Sequence, residues 1–229
     1  MLLPRIIISI LLFSFTLTVS AGKGFVVESV GKEVRVEWRK KLIEEALSTD
    51  TMNFGYSALQ IVLDANQKEP RWRFQGKVIT LASGVKSDGE FMKLLTHEIG
   101  HYVDIYTLFS RGGVDVSDDF YSISWSDKTT KKPGEWLSSF VSGYAATNKY
   151  EDFAESFTFY IFHNEDFSAR ALSDESLRQK YLFFREKIFA SWMFVGTDFR
   201  TSTIPSYLWD TTKIPISLKK YLYSLRESI

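Results

Sequence analysis

Cysteine is missing from the 229-residue chain. Its absence excludes disulfides, and it excludes the lipid-carrying N-terminal cysteine of bacterial lipoproteins. A fold without cross-links must be held by its core, by a bound metal, or by both. An excess of either charge is missing too, since 28 Lys and Arg balance 28 Asp and Glu. No Lys/Arg run stands out, which argues against a nucleic-acid partner, whose phosphates need a basic surface. Beyond the N-terminus there is no second apolar run long enough to span a membrane, and no repeat or low-complexity tract. Histidine is nearly missing: of the three in the chain, two fall in one pentapeptide.

What is present begins with an export-like leader. Arg5 supplies positive charge, Ile6 to Val19 is almost unbroken apolar sequence, and Val19-Ser20-Ala21 offers small residues for cleavage. The apolar stretch is shorter than the about 20 residues a spanning helix needs, so residues 1–21 are expected to be a cleaved signal peptide. The expected mature chain, 22–229, suffices for one domain with a sizeable core, carrying an aromatic C-terminal extension from about residue 191. Its expected location is extracytoplasmic or secreted, by bacterial export, with no stable membrane span after cleavage.

The pentapeptide is His97-Glu98-Ile99-Gly100-His101. Residues four apart share a helix face, so both imidazoles can reach one metal ion while Glu98 reaches a water beside it. Zinc suits such a site, because it accepts neutral imidazole nitrogen and keeps an open position for a reactive water. The competing reading is an ordinary amphipathic helix with two half-exposed histidines. Ser87 and Glu90 form a capping box ahead of the motif, and Asp88 adds negative charge to the first turn. Phe91, Leu94, Leu95, Tyr102, Val103 and Tyr106 recur near helical period, and Arg111-Gly112-Gly113 ends the element. Gly100 costs about 1 kcal/mol of helix propensity against Ala. Either it admits a close neighbour beside the metal or it is a tolerated glycine with no role.

Elsewhere, Glu33–Leu47 reads as a first helix with Val34, Trp38, Leu42, Ile43, Ala46 and Leu47 inward. Ala58–Asp64 reads as a strand, and Arg71–Phe74 with Lys77–Ala82 reads as a hairpin around Gln75-Gly76. An edge strand here could hold an extended peptide across the metal, or merely complete the sheet. Gly112–Glu135, rich in Ser, Asp, Thr and Lys, reads as a long surface loop bordering the cleft. Asn148 caps a helix to about Phe162, and Glu175–Ala190 reads as another amphipathic helix. The aromatic tail is expected to pack on the domain.

A catalytic zinc normally takes three protein ligands. The metzincin continuation would need Gly and His where Asp104 and Thr107 stand, so that option fails. His163, beside Asn164-Glu165-Asp166, reads as a surface or capping histidine. Glu151 and Glu155 are better candidates, one turn apart on one face of the Asn148 helix. Either could reach a metal. Glu151 could instead complete a capping box, Glu155 could be a solvated acid, and Tyr144 a core residue.

Together, HEIGHYVD at 97–104 and the segment Tyr144–Phe157 resemble the gluzincin zinc peptidases, in particular the group of the anthrax lethal factor catalytic domain and the secreted Pro-Pro endopeptidases. The resemblance implies an α+β fold: a small mixed sheet with an edge strand over the cleft, an active-site helix and a helical C-terminal half. It implies one zinc held by His97, His101 and Glu151, with Glu98 as general base and Tyr144 facing the zinc-bound water or the scissile carbonyl. Glu155 would accept a hydrogen bond from a ligating histidine, and the substrate would be a protein or peptide. The long loop and the tail have no counterpart, so cleavage preference is not implied. Two other readings stay open: a zinc protein without turnover, and an envelope-binding module whose aromatic tail recognises polysaccharide or protein.

Overall fold

The computed structural model describes residues 18–19, 24–31, 35–82, 84–109 and 113–227. Most of the expected leader, the expected helix start at Glu33 and Val34, and the Arg111-Gly112 stop lie outside the described residues.

Five strands form one mixed sheet: β1 (Thr18–Val19), β2 (Phe25–Val30), β3 (Leu59–Asp64), β4 (Trp72–Gln75) and β5 (Val78–Ala82). Their spatial order is β1-β2-β3-β5-β4. The three middle strands are parallel, and the two edge strands are antiparallel to their neighbours. β1 falls inside the expected leader, so a chain cleaved after residue 21 would keep four strands. Side-chain alternation buries Phe25, Val27, Leu59, Ile61, Leu63, Ile79 and Leu81 on one face of the sheet. The hairpin around Gln75-Gly76 is present, with Gly76 at φ +62° in the turn. Its first arm, β4, is the edge strand, while β5 lies inside the sheet.

Helix α1 (Val36–Leu47) connects β2 to β3. Its buried stripe runs through Arg39, Leu42, Ile43, Ala46 and Leu47, the spacing of one helix face. Trp38, one residue off that stripe, is half exposed and donates its indole N–H to Asp88 (3.0 Å). Arg39 takes the inward place expected of it; its guanidinium lies over the Phe91 ring (4.6 Å) and bonds Asp88 and the Val85 carbonyl.

Helix α2 (Asp88–Tyr102) carries the pentapeptide. The Ser87 hydroxyl accepts the Glu90 N–H (3.1 Å), but the Glu90 carboxylate turns to Arg71 and Lys213 instead of closing the capping box. The helix continues into a π-helical turn, Val103–Thr107.

The expected loop 112–135 contains a helix, α3 (Ser117–Ser124). Asp118, Asp119 and Ser122 face solvent, while Phe120, Tyr121 and Trp125 are buried. Phe120 meets Phe153, Phe183 and Phe184 edge-on, which packs α3 onto the core.

Helix α4 (Lys149–Phe162) starts at Asn148, whose side chain accepts the N–H groups of Tyr150 (3.0 Å) and Glu151 (3.2 Å). Every residue from Asp152 to Phe162 is buried, so α4 is the central helix of the C-terminal half. Around it lie α5 (Asn164–Ala171), α6 (Glu175–Phe183), which continues as a π-helical turn to Ile188, and α7 (Leu218–Glu227). Residues beyond 190 share the same core through Phe194, Phe199, Ile214, Tyr221 and Leu225, while Trp192, Tyr207, Trp209 and Tyr223 are more than half exposed. Among the described residues, no helix is long and apolar enough to cross a membrane.

Candidate metal centre

α2 and α4 pack face to face, and at Gly100 they approach closely. A Cβ at Gly100 would lie 3.0 Å from the Ala154 Cα. That approach brings His97 and His101 of α2 against Glu151 and Glu155 of α4.

Glu151 Oε2 lies 3.1 Å from His97 Nε2 and 3.3 Å from His101 Nε2. Three donors at metal distances of about 2.0–2.1 Å in a tetrahedron stand about 3.3 Å apart. The two spacings to Glu151 Oε2 are those that a shared zinc-sized ion would set. Burial disfavours the charged form of Glu151, yet hydrogen bonds from His101 and His97 hold its carboxyl far below the usual range. Burial likewise opposes protonation of His97, but bonds to Glu151 and Glu155 outweigh it and raise its pKa. The pocket favours positive charge.

Glu155 faces the other side of the same ring, its Oε1 3.0 Å from His97 Nδ1. Its side chain is 0% exposed, against 19% for Glu151. The two acids thus take opposite sides of the His97 ring, Glu151 on its more exposed side and Glu155 on its buried side.

Glu98 is 1% exposed, and neither of its carboxylate oxygens has a hydrogen-bond partner among the described residues. One ligand-type atom from each of His97, Glu98 and His101 lies within 4.8 Å of the others. Burial raises the Glu98 pKa, with His101 and His97 pulling it back. A buried carboxylate without partners costs free energy, and a water and a cation beside it would satisfy it.

Tyr144 stacks on His97 (centroids 5.9 Å, 20° between planes). Burial and the Glu151 charge raise its pKa, so its hydroxyl keeps its proton. The edge strand covers this site: Trp72 lies 5.8 Å from the His97 ring and 6.4 Å from Tyr144, and Phe74 stacks on His101 at 6.0 Å. A groove of about 390 Å³ adjoins it, with Trp72, Tyr144 and Trp209 among its walls and Arg71, Asp210 and Lys213 in its lining.

His163 is not a surface residue; it stands at the cap position between α4 and α5, but its side chain does not cap. It is 0% exposed, packs on Phe159 (5.3 Å), caps neither helix with its side chain, and has no partner for either ring nitrogen among the described residues. Burial, then the charges of Lys93 and Arg200, push its pKa down to about 3. Asp166 and Asp198 lie at ligand spacing from it, but Arg200 engages both, at 2.5 and 2.7 Å.

Sequence reasoning missed Ser142 and Thr211, both bonded to Glu155. The one local signal is Asp210-Thr211-Thr212, in which the Asp210 carboxylate accepts the Thr212 N–H (2.8 Å) and caps a short turn. That pattern marks a turn, not where the turn docks. No protein-family model, curated protein or solved structure matches this chain.

Proposed function

We propose that the chain is an exported zinc-dependent endopeptidase of the gluzincin type, with His97, His101 and Glu151 as the zinc ligands. Glu98 carries this reading: a buried carboxylate with two unpartnered oxygens, set beside two histidines that both meet Glu151 Oε2 at 3.1 and 3.3 Å. A structural zinc site is closed by four protein ligands and has no use for a free base next to them. Zinc bound here supplies Lewis acidity, which makes a water nucleophilic near pH 7 and polarises a peptide carbonyl.

Glu98 takes the proton of the attacking water and returns it to the leaving amine. The Tyr144 hydroxyl, protonated at neutral pH, donates a hydrogen bond to the oxyanion that develops on the carbonyl. The outer edge of β4 offers unpaired backbone groups that an extended substrate can pair with, and Trp72 and Phe74 set that edge over the histidines. The leader-like N-terminus supports export.

The test is Glu98→Gln assayed on a mixed peptide library, with and without chelator. Zinc stoichiometry should stay at the wild-type level while cleavage falls by about 10²–10⁴-fold. Wild-type turnover by the zinc-loaded variant would refute the mechanism.

A further inference from the structure

Glu155 is fully buried, and a polar group in that position costs free energy unless its lone pairs are used. It has about four acceptor positions. All four are filled. Oε1 accepts from His97 Nδ1 (3.0 Å) and the Thr211 hydroxyl (3.0 Å), and Oε2 accepts from the Ser142 hydroxyl (2.6 Å) and the Thr211 backbone N–H (2.9 Å). Two of the four donors belong to one residue of the C-terminal segment, 56 positions away from Glu155.

Thr211 is itself held from several sides. Asp210 caps the turn and takes a bond from Arg71 (2.6 Å). Lys93, one helical turn ahead of His97 on α2, donates to the carbonyls of Thr211 (3.1 Å) and Ile214. The segment is therefore docked by backbone and charge contacts that do not involve the Thr211 hydroxyl, which is left to act on Glu155.

We propose that Thr211 is a positioning residue of the metal centre: through Glu155 it fixes the ring and tautomer of His97, so that Nε2 can present its lone pair to a metal ion shared with Glu151 and His101. This rests on the zinc reading above. With the hydroxyl gone, Oε1 is held by His97 alone, and the carboxylate can turn about its remaining bonds. Groups that orient a ligating histidine are typically worth 10–100-fold in metal affinity.

The experiment uses the full chain and reads zinc affinity by competition with a chromophoric chelator, alongside the visible spectrum of the cobalt-loaded protein and its melting curve. Thr211→Val, which keeps the backbone donor and the shape, should weaken zinc binding by about 10–100-fold and alter the cobalt bands. Thr211→Ser, which restores the hydroxyl, should return affinity to within about threefold of wild type. In a Glu155→Gln background the valine change should cost less than about twofold, because its route to His97 is already altered.

Wild-type zinc affinity in Thr211→Val overturns the proposal, and so does an equal loss in both backgrounds, which would assign Thr211 to holding the tail alone. Thr211→Ala goes through the same cycle where the valine variant does not fold. A wild-type chain that binds no zinc overturns the metal reading itself, a result distinct from both.

Discussion

Burying a neutral imidazole ties stability to pH, and His163 does so at the junction of α4 and α5. An unfolded chain protonates this histidine below about pH 6.5, whereas the fold, with Lys93 and Arg200 nearby and Asp166 and Asp198 already engaged by Arg200, resists until about pH 3. The unfolded state then binds the extra proton, so stability falls as pH drops through that window, by up to about 1.4 kcal/mol per unit. His163→Leu breaks no hydrogen bond of the ring. It should shrink the stability loss between pH 7 and pH 5 by about 2 kcal/mol, measured by urea unfolding. An unchanged pH dependence would mean that the fold protonates His163 like an exposed imidazole. At this scale His97, Glu98 and His101 were legible because their relation is local and periodic. Glu151 and Glu155 were legible as a pair, but the filled acceptor positions of Glu155 come from residues far along the chain. His163 misleads because its polar neighbours are the first turn of α5, where Asn164 is buried as well.

Helix α2 meets α4 through Gly100, and the spacing of the two helices sets the distance from the histidines to Glu151. In Gly100→Ala the new Cβ would press on the Ala154 Cα at 3.0 Å and on the Ala154 and Phe157 Cβ atoms at 3.4 Å. The alanine gains about 1 kcal/mol of helix propensity, against about 1–3 kcal/mol for overpacking. Since the obstacle is backbone, α4 must move as a body. The outcome should be a net loss of up to about 2 kcal/mol together with weaker zinc binding. Thermal melts and zinc competition check both, and an unaltered zinc affinity would show that this contact does not set the site. The glycine was readable as a close approach, though not its partner. The hairpin was readable from its turn, whereas which arm lies at the edge depends on β5 pairing with β3, a long-range choice that periodicity does not encode. The buried face of α3 was hidden by the Ser and Asp residues of its outer face.

Across the whole molecule, the candidate ligands join α2 to α4, and the C-terminal segment closes over the second of these. Zinc at about 100 times its Kd should stabilise the fold by about 2.7 kcal/mol, which for a domain of this size is a rise in Tm of roughly 5–10 °C. Chelator should reverse it, and a melting curve indifferent to zinc would argue against a site spanning both helices. The sheet order and the return of the tail to the centre were not readable, because sequence pattern reports which faces are apolar and not which faces meet.

The dependence of Glu155 on Thr211 also gives the order of the chain a meaning in time. A ribosome delivers a polypeptide from its N-terminus, so the histidine pair emerges well before residue 211. Until that residue arrives, Glu155 lacks two of its four donors and His97 lacks a fixed orientation. On the readings proposed here, a nascent chain holds zinc about 10–100-fold more weakly, and full cutting power appears only once nearly all of the sequence has emerged.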